Sequence, residues 1–132
     1  MRFALALVVL VLGACSNATE PRPLQIAGAV PFADTALLAR LWSKTEACSG
    51  LKGDLSSVSF YKVPSVDVVN TEGNGGYWFR DGNRIFIADA WAGSASLITH
   101  EIMHALLQSG AHPPQYFNGV CGDLMTITIA AG

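Results

Sequence analysis

Charge is scarce in this 132-residue chain: eight Lys and Arg against ten Asp and Glu make up 14% of it and leave a formal net charge of −2. The basic residues Arg22, Arg40, Lys44, Lys52, Lys62, Arg80 and Arg84 are scattered, with no run or stripe. The electrostatic footprint of a nucleic-acid binder is therefore missing, and no nucleic-acid partner is expected. Apolar runs are short as well. Phe3–Leu12 falls well below the roughly 20 residues a membrane-spanning helix needs. The three cysteines contain no CxxC pair, which argues against a zinc site built on thiolates. Gly73-Asn74-Gly75-Gly76 is not followed by the Lys and Ser or Thr of a phosphate loop, so it is expected to be a turn. No internal repeat is visible, and the length suits one domain.

What is present begins at the N-terminus. Arg2, the apolar run and the small pair Gly13-Ala14 have the order of an export signal. Leu12-Gly13-Ala14-Cys15 resembles the bacterial lipobox. That resemblance implies cleavage of residues 1–14, acylation of Cys15 and a lipid anchor holding the protein in the bacterial cell envelope. Residues 15–26, polar and carrying Pro21 and Pro23, are expected to be a tether, and 27–132 the single folded domain of a monomer. In an oxidising compartment Cys48 and Cys121 are expected to pair, a bridge worth roughly 4 kcal/mol in the chain-entropy model.

The apolar positions Leu37, Leu38, Leu41, Trp42 and Cys48 predict a helix over 34–48, capped by Asp34 or Thr35 and followed by Gly50. Residues 57–63 are rich in β-formers and predict a strand, and 66–70 a weaker one. Asp81-Gly82 between Tyr77-Trp78-Phe79 and Arg84–Ala88 predicts a hairpin. Ser94 or Ser96 is placed to cap a second helix, with Leu97, Ile98, Ile102, Ala105 and Leu106 on its apolar face. Gly110 is expected to end it near Ser109, Pro113-Pro114 to prevent a restart, and the tail, including 126–130, to be irregular, extended or helical. The expected class is α+β: a small mixed sheet with an N-terminal helix and a second helix that carries the chemistry.

That chemistry lies in His100-Glu101-Ile102-Met103-His104, an HExxH motif on the second helix. Residues four apart stand nearly above one another, so both imidazoles can reach one ion, while Glu101, rotated by about 100°, stands beside it. A catalytic zinc takes three protein ligands and keeps a place for water. All three histidines of the chain fall within residues 100–112, and His112 is the expected third ligand. Along a continuous helix it would lie about 12 Å beyond His104, so the helix has to end between them. Asp123, and Glu46 or Asp89 brought in by folding, are the rival ligands.

These residues resemble the zincin metallopeptidases, and a histidine following a glycine after the motif is most similar to the metzincin branch. The metzincin pattern is HExxHxxGxxH; here it is HExxHxxxxxGxH, with Leu107 at the glycine position and the third histidine two residues late. The resemblance implies one zinc ion, Glu101 as general base, a peptide or protein substrate laid along an edge strand, by analogy Arg84–Ala88, and Met125 as a methionine turn. Met125 as plain core, Tyr116 as an oxyanion donor or as apolar cover, and Trp78 or Trp91 as groove or core all remain open. So do two other functions: a zinc-binding lipoprotein without catalysis, and a zinc amidase acting on cell-wall peptides.

Overall fold

In the computed structural model of the protein, residues 26–65 and 75–126 are described. The export signal, Cys15, nearly all of the tether, the weaker strand at 66–70 and residues 127–132 lie outside them.

The order of elements is β1 (Val30–Pro31), α1 (Thr35–Ser49), β2 (Ser59–Val63), β3 (Gly76–Phe79), β4 (Arg84–Ala88), α2 (Ala95–Leu107), a helical turn (Gln115–Val120) and α3 (Gly122–Met125). The class is α+β. The four strands form one mixed sheet in the order β1-β2-β4-β3, with β2 and β4 parallel and the outer pairs antiparallel. The parallel pair, and the two-residue β1, had no signal in the sequence. β4 is buried along its whole length, as a strand covered on both faces must be.

Alternation along β4 sorts the core. Ile85 and Ile87 face the helices, where they meet Leu38, Leu41 and Trp42 of α1 and Ile98, Ile102 and Ala105 of α2. Phe86 and Ala88 face the other way, with Val63 and the partly buried Tyr61 and Phe79. Each large aliphatic or aromatic side chain so buried contributes roughly 1.5–3 kcal/mol, which is what holds α2 against the sheet. A third cluster, Met103, Phe117, Cys121 and Met125, lies under the chain that follows α2.

Asp34 caps α1, its carboxylate accepting from Leu37 N–H at 2.9 Å, and Ser94 caps α2 by accepting from Leu97 N–H at 3.3 Å. Several expectations are corrected. The Gly73–Gly76 stretch is not simply a turn, since Gly76 is the first residue of β3 and pairs with Ile87. α2 ends at Leu107, and the left-handed residue is Gln108 (φ 50°, ψ 38°) instead of Gly110. The left-handed conformation costs a side-chain-bearing residue about 1–2 kcal/mol. Here the Gln108 side chain offsets it by donating to the carbonyl of Ala105 at 2.6 Å and to Asn83 Oδ1 at 3.3 Å. The proline pair does not prevent a restart either: helical turns resume at Gln115 and Gly122. A proline at a helix start has no N–H to leave orphaned.

Candidate metal centre

α2 brings His100 and His104 to one end of its buried face, and the chain after Gln108 folds back to add His112. The Nε2 atoms of His104 and His112 lie 3.2 and 3.1 Å from His100 Nε2. Among the described residues these three histidines are the group of metal-ligating side chains whose ligand atoms converge, all within 4.8 Å of one another. Three nitrogens at 2.0–2.1 Å around a tetrahedral ion stand roughly 3.3 Å apart, which the two distances from His100 match.

The tautomer fits as well. His104 Nδ1–H donates to the carbonyl of Ser109 at 2.9 Å, which leaves the Nε2 lone pair turned toward the other rings. Burial is the largest cause holding His100 down to about 4, helped by the neighbouring His104 and His112. Burial also lowers His104, with His112 adding to it and the Ser109 carbonyl opposing. At neutral pH both rings on the helix are uncharged, the state a metal ligand requires.

Glu101 is 4% exposed. Burial pushes its carboxyl up to about 8, opposed by a hydrogen bond from the backbone N–H of Trp78. The room for this carboxylate comes from β3. A Cβ on Gly76 would stand 2.9 Å from Glu101 Cγ and 3.0 Å from its Oε1, so the glycine is required by close approach and not by its backbone conformation. Gly75 carbonyl accepts from Ala88 N–H. By the alternation of an antiparallel ladder, Gly76 and Trp78 then direct their peptide groups away from β4, toward Glu101.

Sequence reasoning missed Phe117 and Asn83, and left Trp78 open between groove and core. Phe117 lies against all three imidazoles, its ring centre 4.9, 5.1 and 4.7 Å from those of His100, His104 and His112. Its signal was hidden, because the proline pair suggested an irregular tail. Trp78 is buried and stacks on His104 with ring centres 6.5 Å apart, its indole N–H held by Asn83 Oδ1 at 2.9 Å. Asn83 ties that indole to Gln108 and to the carbonyl of Ser57, joining the hairpin turn to the end of α2.

The carboxylate rivals are placed elsewhere. Glu46 accepts from Gly53 N–H and pairs with Lys52, Asp89 pairs with Lys62, and Asp123 is exposed on α3. Met125 packs in the cluster behind Phe117, with Tyr116 at its margin. Trp91 is half-exposed over Gly75. Cys48 and Cys121 are joined in a disulfide with Cα atoms 5.4 Å apart. Arg84–Ala88 is not an edge strand: it lies between β2 and β3, and β3 is the edge beside Glu101. Comparison with family models, with curated proteins and with solved structures found no match.

Proposed function

We propose that the protein is a zinc-dependent metallopeptidase of zincin type, anchored in the bacterial cell envelope through Cys15. The observation that carries this reading is the convergence of three imidazole nitrogens, all within 4.8 Å of one another, beside a buried carboxylate. His100, His104 and His112 would hold the ion. Bound there, zinc supplies a water of lowered pKa and a Lewis acid for a carbonyl. A cation held beside Glu101 would favour its ionised form against the effect of burial, and in that form Glu101 would accept the proton of the attacking water and return it to the leaving amine. Trp78 N–H and the absent side chain of Gly76 hold the Glu101 carboxylate in place for both transfers. Phe117 excludes water from one side of the rings. An extended substrate would run beside β3 and not beside β4, because only β3 presents an edge to the site.

The envelope location rests on the lipobox resemblance of residues 12–15, and a peptide or protein as substrate rests on the HExxH resemblance. A purely structural zinc site normally fills four positions with His or Cys and gains nothing from Glu101. Metal analysis of the purified mature protein should find one zinc per chain. Glu101→Gln should retain it and lose hydrolysis of a peptide library by 10²–10⁴-fold, the usual worth of a general base. Full turnover in that variant sinks the catalytic assignment.

A further inference from the structure

The segment 111–126 carries the third histidine and the phenylalanine that touches all three rings, yet its backbone hydrogen bonds are local. Tyr116 and Phe117 N–H donate to Pro113 carbonyl, Cys121 N–H to Tyr116, Leu124 N–H to Cys121 and the Thr126 hydroxyl to Gly122. Ala111 N–H reaches no further than the Ser109 hydroxyl. Among the described residues, this segment is joined to the body beyond its own peptide chain by ring contacts of His112 and Phe117 with His100 and His104, by the apolar cluster around Phe117 and Met125, by the Cys121 sulfur 4.0 Å from the Thr45 carbonyl, and by the bridge from Cys121 to Cys48 at the end of α1. Apolar contacts are non-directional and fix position poorly. The bridge is covalent, and Cys121, 1% exposed, lies in the same cluster as Phe117.

We propose that closure of the Cys48–Cys121 bridge completes the metal centre, so that the chain takes up its ion firmly only in an oxidising compartment. The ion-binding part of the reading above is assumed; hydrolysis is not. With the bridge open, the segment carrying His112 and Phe117 loses its covalent tie to α1, and His112 is held less firmly as the third ligand beside His100 and His104. Closure is a two-step exchange with a disulfide oxidant. The thiolate of Cys48, the more exposed of the two, attacks the oxidant's disulfide, forming a mixed disulfide and expelling one thiolate. The Cys121 thiolate then displaces the second, and the two electrons leave with the oxidant as a dithiol. In a compartment where thiols stay reduced, the site would hold zinc weakly.

The test is a zinc titration against a competing chromophoric chelator on four forms: the oxidised wild type, Cys48→Ser/Cys121→Ser, His112→Ala, and the triple variant. Serine avoids free thiols, which would bind zinc themselves. The expected result is at least a tenfold loss of affinity on removing the bridge from wild type and no further loss on removing it from His112→Ala, because the two-ligand site no longer uses the segment. Equal affinities with and without the bridge overturn the inference. So does the same loss in both backgrounds, or loss of the far-UV helix signal in the double variant, since either makes the bridge a general staple. An oxidised wild type that binds no zinc refutes the metal centre itself, whereas a zinc-binding protein without peptidase activity leaves this inference standing.

Discussion

The two halves of the metal centre are built in opposite ways. His100, Glu101 and His104 stand on a helix whose register is set by Ile98, Ile102 and Ala105 in the main core, and whose start is capped by Ser94. His112 stands on a segment that crosses back over the site, exposed, with no backbone hydrogen bond to the body among the described residues. The first half is held by the core; the second is tied to the body by the disulfide and by apolar and ring contacts. Burial sharpens the contrast, because Glu101 and His104 are buried and His112 is exposed.

Removing a ligand from each half should show this most strongly. His104→Ala and His112→Ala should both weaken zinc binding by more than the 10–100-fold typical of outer-shell changes. Only His104→Ala should also destabilise the metal-free protein, by about 1–3 kcal/mol, since it deletes a buried ring stacked on Trp78 and bonded to Ser109. His112→Ala should leave the metal-free unfolding midpoint within about 0.5 kcal/mol of wild type. Equal destabilisation in urea unfolding would erase the distinction.

Next comes the wall behind the base. Gly76→Ala places a methyl group 2.9 Å from Glu101 Cγ, and overpacking of this kind costs about 1–3 kcal/mol. We expect slower turnover with zinc content unchanged, read as a fall in kcat at constant metal stoichiometry. A variant as fast as wild type would mean that Glu101 is not held by β3.

The contrast extends to pH. The Glu101 carboxyl is raised from 4.5 to about 8 in the fold, so its contribution to stability is full below pH 4.5 and is lost as pH rises toward 8. His100 and His104 are lowered, His100 to about 4. Their contribution is full above pH 6.5 and is lost as pH falls. Glu101 and His100 oppose each other between pH 4.5 and 6.5, and above that Glu101 acts alone among these groups. Metal-free wild type should therefore lose about 2 kcal/mol between pH 6.5 and 8. Glu101→Gln should remove that slope, and a slope that persists in the variant would place its origin elsewhere.

What could be read from the sequence divides along the same line. The caps Asp34 and Ser94, the Asp81-Gly82 hairpin and the apolar periodicity of both helices are local signals, and each marks an element that forms. The HExxH spacing is local too. The β2–β4 pairing, the approach of Gly76 to Glu101 and the position of Phe117 depend on residues far apart in the chain, and no period or motif encodes them. Gly110 drew attention as a helix breaker because glycine is the usual choice. Gln108 takes that role through hydrogen bonds to Ala105 and Asn83, the second of which sequence pattern does not reveal.

The indole of Trp78 lies nearly parallel to a ligand ring, at 16°. It gives the molecule an optical gauge of its own: a paramagnetic ion seated among the histidines would quench that tryptophan's emission, so occupancy can be followed in unlabelled protein without any substrate.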